Sequence, residues 1–167
     1  ALFCNVNKEA VIESIDASTI YDVPNLMLEE GLDTVALQKL GLNNTQRPPL
    51  TAWNEFVKRY KNPKAHVTIG LIGKYVELQD SYKSILESFI HAGAANEVKV
   101  KVQSIHSEFL DASTVDAQMK ELDAVLVAPG FGERGIEGKI EAVRYARENK
   151  LPFLGICLGM QMAVIEY

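Results

Sequence analysis

Cysteine is scarce in this sequence, and long apolar runs are absent. The 167 residues include only two cysteines, Cys4 and Cys157. Two are too few for a disulfide framework, so we expect a reducing, cytoplasmic setting. No apolar stretch approaches the roughly 20 residues that span a bilayer, and the first residues lack the pattern of a signal peptide. We therefore expect no membrane partner.

The charge of the chain excludes a second class of partner. A formal net charge of -5 gives no reason to expect nucleic acid, which needs a basic surface. Any anionic ligand must be held by local basic groups and backbone amides. Hydrophobic residues make up 47% of the chain and charged residues 23%, which is typical of a folded domain. Ala1 begins within an apolar, strand-like run and Tyr167 ends within a helical pattern, so we expect both ends to be cut.

Polar residues and proline divide the chain near residues 41–51. The segment NNTQRPPL follows Gly41, and its two prolines stiffen it as expected of an interdomain linker. Thr51 is a plausible N-cap for a short helix after the linker. One face of that helix carries four apolar residues at helical spacing: Trp53, Phe56, Val57 and Tyr60. We predict a first domain over residues 1–41, a linker with a short helix over 42–64, and a second domain over 65–167.

The second domain alternates strands with helices. Three apolar runs predict buried strands at 67–73, 123–129 and 152–156, and the strictly alternating run 98–105 predicts a strand at or near a sheet edge. Helices are predicted from Asp80 or Ser81 to about Gly93, from Ile136 to about Asn149, and from Leu158 onward. This order predicts an α/β fold with a doubly wound, mostly parallel sheet. Ligands bind such sheets at the carboxyl ends of the strands.

The segment GICLG, residues 155–159, is the strongest functional signal. It is the cysteine counterpart of the G-x-S-x-G nucleophile elbow, and it lies between a predicted strand and a predicted helix. The helix amides would favour the Cys157 thiolate, and the N–H of Leu158 would face a developing oxyanion. A lone intracellular cysteine is more often a small buried hydrophobic residue. That description fits Cys4, whereas the glycines around Cys157 favour a nucleophile.

A glycine-rich segment, APGFGERGIEGK at 128–139, follows the neighbouring predicted strand. Four glycines would let backbone N–H groups face a ligand: Gly130, Gly132, Gly135 and Gly138. We expect the N–H of Gly130 to be a second oxyanion donor, because Pro129 has no N–H. A tight turn explains the glycines equally well. The segment is not a phosphate-binding P-loop, since no Ser or Thr follows the lysine.

Together, GICLGMQ (155–161) and PGFGERGIEGK (129–139) resemble the class-I glutamine amidotransferases, whose fold is flavodoxin-like. Residues 70–88 and 15–33 narrow the resemblance to the CTP synthase family. It extends over essentially the whole chain, and one departure is APGFG where many members read PGGFG. The resemblance implies that residues 1–41 are the C-terminal remnant of a synthetase domain and 65–167 the N-terminal part of a glutamine amidotransferase domain.

The resemblance also implies an activity. The family makes CTP from UTP, ATP and glutamine, with Mg²⁺ as a requirement and GTP as an allosteric activator. Its glutaminase domain releases ammonia, which aminates phosphorylated UTP in the synthetase domain. The family suggests a homotetramer. No metal ligand is assigned within this chain, because the metal-binding acids would lie upstream of Ala1.

Site residues follow from the same resemblance. Cys157 matches the nucleophile that forms a glutamyl thioester. Positions that hold glutamine and its oxyanion match Gly130, Leu158, Gly159, Met160 and Gln161. A segment that contacts the adenine of ATP matches Ile15, Asp16 and Ala17. A region that responds to GTP matches Lys83, Phe131, Arg134 and Glu137; for Lys83, a solvated helix charge is an equally good interpretation.

A cysteine amidase also needs a general base and a carboxylate that orients it. In this family both belong to a His-x-Glu element downstream of the elbow, which we expect beyond Tyr167. The three histidines present are His66, His91 and His106. Only His106, after a predicted strand, could lie near the crevice, and it has no family counterpart as a base. We expect all three to be surface or packing residues.

Two alternatives stay open at this point. The elbow also fits the glutaminase domain of another amidotransferase, such as a GMP or anthranilate synthase, although residues 15–33 argue against that. The chain could instead be a non-catalytic α/β scaffold that binds a nucleotide or a partner chain and keeps the cysteine as a relic. A His-x-Glu pair beyond Tyr167 would separate these alternatives.

Overall fold

The computed structural model describes residues 2–42 and 49–167. Contacts divide the chain into two compact units, residues 1–58 and 59–167. Most of the predicted linker segment NNTQRPPL, including Pro48, lies outside the described residues. The boundary between the units falls within the predicted linker, and the predicted limits of the two domains stay a prediction.

The first unit is helical. Short 3₁₀ turns at Leu2–Cys4, Lys8–Ala10 and Ile20–Asp22 precede helices α1 (Val23–Glu29) and α2 (Leu32–Lys39). The strand-like interpretation of the first residues is therefore wrong, since Leu2–Cys4 forms a 3₁₀ turn. Helix α3 (Thr51–Lys61) crosses the boundary between the units. Thr51 is already its first residue, so it is not the N-cap.

Aromatic packing stabilises the first unit. Tyr21 is buried and meets the ring of Phe56 edge-on, with centroids 5.0 Å apart. The indole N–H of Trp53 donates to the backbone oxygen of Tyr21 at 2.9 Å. Val57 is buried on the same side of α3, and Trp53, Phe56 and Tyr60 are partly buried. The predicted apolar face of this helix is confirmed.

The second unit is built on a four-stranded parallel sheet. Its strands are β1 (Ala65–Gly73), β2 (Val98–His106), β3 (Ala124–Val127) and β4 (Phe153–Gly155), in the order β2-β1-β3-β4. The connecting helices are α4 (Lys83–Ala95), α5 (Val115–Met119) and α6 (Ile136–Glu148), and α7 (Leu158–Glu166) follows β4. The predicted doubly wound α/β fold is confirmed, with the strand order of the flavodoxin-like class.

Side chains from the sheet alternate between two apolar cores. Ile72, Val125 and Val127 pack with residues of α5, α6 and α7. Leu71 and Leu126 point to the opposite face and pack with Ile85, Leu86 and Phe89 of α4. The helix between β1 and β2 and the helix between β3 and β4 thus cover opposite faces. The carboxyl ends of β1 and β3 therefore form the switch point at which such sheets bind ligands.

The structure corrects two details of the predicted fold. β4 is not a buried strand: Phe153 and Leu154 are 37% and 57% exposed, because β4 is an edge strand of the described sheet. Helix α4 does not stop at Gly93 but continues to Ala95. Gly93 serves close packing, since a Cβ there would lie 2.7 Å from the backbone oxygen of Val98. β2 lies at the other edge, as predicted.

Across the described ranges, no helix combines the length and apolarity needed to cross a bilayer.

Replacing Gly138 with alanine is expected to lower the free energy of unfolding by about 1–3 kcal/mol. A Cβ at this position of α6 would lie 1.8 Å from the backbone oxygen of Ser107, so the helix would have to move. Urea denaturation of the 167-residue chain measures the change. The control is Glu137→Ala, exposed on the same helix turn, which should change stability by less than about 1 kcal/mol. Equal stability of the two variants would contradict the packing role of Gly138.

Candidate active site

Cys157 stands on a strained turn between β4 and α7. Its backbone has φ 52° and ψ -109°, a left-handed conformation that residues other than glycine rarely adopt. Leu158 is the first residue of α7, and the first N–H groups of a helix have no partner within it. The thiol is exposed. The predicted elbow geometry is present, with the sulfur beside the amino end of a helix.

Two glycines allow the backbone to turn this sharply. A Cβ on Gly155 would lie 2.6 Å from the carbonyl carbon of Gly159 and from the nitrogen of Met160. A Cβ on Gly159 would lie 2.1 Å from the backbone oxygen of Val127. The first contact folds α7 back over β4, and the second packs α7 onto the end of β3. Neither position has room for a side chain.

The glycine loop, residues 128–135, starts at the same point of the sheet. The N–H of Ala128 donates to Ile72 at 2.9 Å, and the N–H of Ile156 donates to Val127 at 3.1 Å. The loop and the elbow thus leave neighbouring strands side by side. A Cβ on Gly130 would lie 3.8 Å from Cδ2 of Leu158. The structure therefore brings Gly130 next to the elbow.

The amides of the elbow differ in what they offer a ligand. The N–H of Gly159 donates to Ile156 at 2.9 Å within the turn, and the N–H of Gln161 donates to the Cys157 oxygen at 3.1 Å. Leu158 is the first residue of α7, a position whose N–H has no partner within the helix. The side chains of Met160 and Gln161 are exposed and could contact a substrate at the turn.

The glycines of the glycine-rich segment lie in different surroundings. Gly132 lies in the loop with φ 76°. Gly135 and Gly138 instead pack against the turn that contains Ser107: a Cβ on Gly135 would lie 2.3 Å from the Ser107 hydroxyl. Close packing thus accounts for glycine at these two positions, and the expectation that the four amides face a ligand stays a prediction.

Two buried lysines lie beneath the glycine loop, and the sequence reasoning missed both. Lys139 is fully buried, and Lys74 is 4% exposed. The Lys139 ammonium donates to the oxygen of Ala128 at 2.7 Å, and the Lys74 ammonium donates to the oxygen of Phe131. Burial, reinforced by the charge of Lys74, lowers the pKa of Lys139 to about 8, while Cys157 acts in the opposite direction.

A sequence signal for these lysines did exist. Lys139 lies three residues after Ile136 and four before Val143, on the apolar face of α6. A lysine at that spacing either interrupts the apolar face of the helix or is a buried charge with a function. Lys74 directly follows the buried end of β1, where ligand-binding residues concentrate in this class of sheet.

Residues 77–167, more than half of the chain, match the family described as glutamine amidotransferase class-I. The chain belongs to the class-I glutamine amidotransferase family. Residues 1–42 match a second family, described as CTP synthase N-terminus.

Curated relatives named CTP synthase align with the whole chain. The protein of Flavobacterium psychrophilum is 75% identical over 167 residues, and that of Carboxydothermus hydrogenoformans is 53% identical. In both cases the chain spans 31% of the relative's length. The resemblance to the CTP synthase family is confirmed.

A solved structure supports the same fold. It is described as the glutaminase domain of Trypanosoma brucei CTPS with bound acivicin. The TM-score is 0.55 at 39% sequence identity, and the match covers 60% of this chain and 39% of that chain. At this identity the likeness extends from the fold to the sequence of the amidotransferase domain.

His106 is remote from the amidotransferase elbow. It ends β2, and the strand order places three inter-strand spacings between β2 and β4, about 14 Å in all. Its Nδ1 accepts from the N–H of Glu108 at 3.3 Å, and its Nε2 lies 3.5 Å from Glu77. His66 lies at the amino end of β1 and His91 on α4. The structure does not bring a histidine of this chain beside Cys157.

Of the residues predicted to respond to GTP, Phe131 and Arg134 lie on the glycine loop, whereas Glu137 and Lys83 lie on helices α6 and α4. Phe131 is 87% exposed on the glycine loop, and the Arg134 guanidinium lies 5.8 Å from the ring of Tyr75 and 2.8 Å from Glu108. Tyr75, which the sequence reasoning did not single out, thus shares a surface with the loop. Glu137 is exposed in the first turn of α6. Lys83 forms an exposed pair with Glu87 at 3.6 Å, which suits a solvated helix charge.

The residues predicted to contact adenine line an open concavity of about 560 Å³ in the first unit. Ile15, Asp16 and Ala17 form part of its wall, and Ile15 is 59% exposed. Asp22 and Glu29 add further carboxylates, with Asn25 and Asn54 alongside. Carboxylates and amides can hydrogen-bond a base, but the carboxylates would repel phosphates. Nowhere in the described residues do three His, Cys, Asp or Glu side chains converge as a metal site.

Iodoacetamide is expected to label Cys157 about 3- to 10-fold faster than Cys4 at pH 7, because the Cys157 sulfur stands at the amino end of α7, where helix amides stabilise developing negative charge. Both cysteines are exposed, which corrects the expectation that Cys4 is buried and makes Cys4 an internal control for access. Mass spectrometry of the two labelled peptides measures the rates. Gly155→Ala, which displaces the turn, should bring the rates together. Equal labelling in the unaltered chain would count against the elbow.

Proposed function

We propose that this chain supplies the nucleophile side of a glutaminase site whose ammonia a CTP synthase uses to aminate UTP. One observation carries the proposal. Cys157 stands on the strained turn at the start of α7, beside Gly130, in a chain that aligns over its whole length with proteins named CTP synthase.

The geometry supports a thioester mechanism. The Cys157 thiolate attacks the side-chain carbonyl carbon of glutamine, so an S–C bond forms and the carbonyl electrons move onto oxygen. The N–H groups of Leu158 and Gly130 receive that negative charge. When the oxyanion collapses, the C–N bond breaks and the nitrogen leaves as ammonia with a proton from a general acid. Water then attacks the glutamyl thioester, which releases glutamate and the cysteine.

The side chains at the elbow would hold the substrate. Met160 and Gln161 are exposed beside Cys157. The side-chain amide of Gln161 can hydrogen-bond the α-amino or α-carboxylate group of the substrate glutamine. Gly159 has the structural role of bringing α7 close to β3. For the general base we infer a His-x-Glu element like the one that the family resemblance implies.

The proposal also assigns surfaces of this chain to the nucleotides ATP and GTP. The acidic concavity around Ile15, Asp16 and Ala17 suits the adenine of ATP, and the exposed surface of Phe131, Arg134 and Tyr75 suits the base and ribose of GTP; Lys83 and Glu137 are weaker candidates there. ATP would activate UTP by phosphoryl transfer with Mg²⁺, for which we assign no ligands in this chain. The family supports a cytoplasmic homotetramer with neither nucleic acid nor membrane as a partner.

The decisive experiment compares two nitrogen sources in the protein that carries this chain. Cys157→Ala is expected to lower glutamine-dependent CTP formation more than about 1,000-fold, because the nucleophile is lost. CTP formation from added ammonium chloride should stay within about 2-fold, since ammonia bypasses the thioester. Cys4→Ala, the matched control, should alter neither reaction. Retained glutamine-dependent activity would refute the proposed nucleophile and favour a non-catalytic scaffold.

The 167-residue chain alone is expected not to hydrolyse glutamine at a useful rate, with or without GTP. None of its histidines stands within hydrogen-bonding reach of Cys157 to act as the base. Ammonia release from purified chain measures this, with the Cys157→Ala chain as the blank. Sustained release above that blank would contradict the prediction and direct attention to His106.

A further inference from the structure

The two lysines under the glycine loop bind consecutive parts of its backbone. Lys139 donates to the oxygen of Ala128 at 2.7 Å and reaches the oxygen of Pro129 at 3.5 Å. Lys74 donates to the oxygen of Phe131. Both lysine side chains also lie under Gly130: a Cβ there would be 3.3 Å from Lys74 Cε and 3.5 Å from Lys139 Nζ. One side of this loop is thus packed on two cationic side chains.

The planarity of the peptide bond links these contacts to the Gly130 amide. The oxygen of Pro129 and the N–H of Gly130 belong to one peptide unit, and no cis peptide bond is present. In a trans peptide the C=O and N–H point in opposite directions. An ammonium that attracts the Pro129 oxygen therefore turns the Gly130 N–H away from the lysines. Leu158 of the elbow is the next neighbour of Gly130, with its Cδ2 3.8 Å from the same Cβ position, so the peptide that Lys139 holds borders the elbow.

The ammonium groups are also unusual in their electrostatic setting. No described carboxylate forms an ion pair with Lys74 or Lys139. The titratable groups that act on Lys139 are Lys74, which follows β1, and Cys157 on the elbow. A buried cation without a carboxylate is unfavourable unless carbonyl dipoles or an anion stabilise it. The Cys157 thiolate and the oxyanion that follows it are such anions.

We propose that Lys139, with Lys74 beside it, is a positioning residue that fixes the orientation of the Gly130 peptide and whose charge stabilises negative charge that develops at the Cys157 sulfur. This inference rests on the proposed glutaminase function for its first half. Its second half, the effect of the charge on Cys157, is independent of glutamine hydrolysis. Lys139 makes no contact with substrate in this arrangement and acts through the loop and the field at the sulfur.

The charge of Lys139 gives the test a distinctive pH dependence. Since the pKa of Lys139 is lowered to about 8, its charge is present at pH 7 and is largely lost by about pH 9. A neutral residue at this position should therefore lower the alkylation rate of Cys157 at pH 7 and leave that rate nearly unchanged at pH 9. An arginine keeps its charge at both pH values, so with arginine at this position the alkylation rate should exceed that of the unaltered chain at pH 9. A lysine that only filled space would give no such pattern.

The experiment measures iodoacetamide alkylation of Cys157 in the 167-residue chain carrying Cys4→Ser. Lys139→Met, similar in volume and neutral, should lower the rate about 3- to 10-fold at pH 7 and less than about 2-fold at pH 9. Lys139→Arg should match the unaltered chain at pH 7 and exceed it at pH 9. The control is Lys120→Met, an exposed lysine, which should follow the unaltered chain at both pH values.

Each outcome bears on the inference. A Lys139→Met effect that is absent, or equal at the two pH values, would overturn the role of the charge. Lys139→Met could fail to fold, which circular dichroism would reveal. The Lys139→Arg variant then decides: if the ratio of its alkylation rate to that of the unaltered chain is the same at pH 7 and pH 9, the role of the charge is overturned.

The protein that carries this chain tests the aiming of Gly130. Lys139→Met should lower kcat for glutamine about 10-fold or more while KM changes less than about 2-fold. An altered KM with unchanged kcat would overturn that half. If glutaminase activity is absent throughout but the alkylation pattern holds, the proposed function fails and the effect of Lys139 on Cys157 stands.

Discussion

The close approach of α7 to the end of β3 is the constraint on which the site depends. Gly159 lies where any side chain would overlap the backbone oxygen of Val127. This contact fixes the direction of the helix, and Gly155 folds the chain tightly enough to reach it. Cys157 adopts its strained backbone conformation because the two flanking contacts leave it no alternative. The exposed sulfur is therefore a product of packing on either side of it.

The same junction explains why the glycine loop can share in the chemistry. β3 ends at Val127, and the chain passes at once into Ala128, which is held by a hydrogen bond to β1. The loop then borders the elbow at Gly130 and continues over the carboxyl ends of β1 and β2, where it meets Lys74 and Ser107. In a parallel sheet these ends lie at one edge, so residues distant in sequence meet there. Gly130 reaches the elbow for this topological reason.

Electrostatics at this edge is local. The chain as a whole carries a net charge of -5, yet Lys74 and Lys139 place two cations beneath the loop that borders Cys157. Carbonyl oxygens of the loop stabilise them, and in return the ammonium groups order the loop. Burial of one lysine lowers its pKa towards neutrality, so the positive field at the site is strongest below about pH 8. By contrast, the concavity in the first unit is lined by carboxylates.

The sequence alone determined the α/β class, the parallel sheet and the elbow, because apolar periodicity and the glycine frame of GICLG are local patterns. It misplaced β4 as a buried strand and held no sign that Gly135 and Gly138 pack against the turn at Ser107. The partners that decide these features lie far along the chain: the strands that leave β4 at the sheet edge, and the turn at Ser107. Only the tertiary structure revealed that Lys74 and Lys139 meet under Gly130. A charge pattern in sequence carries no record of which residues the strand order will bring together, and that order decided the site.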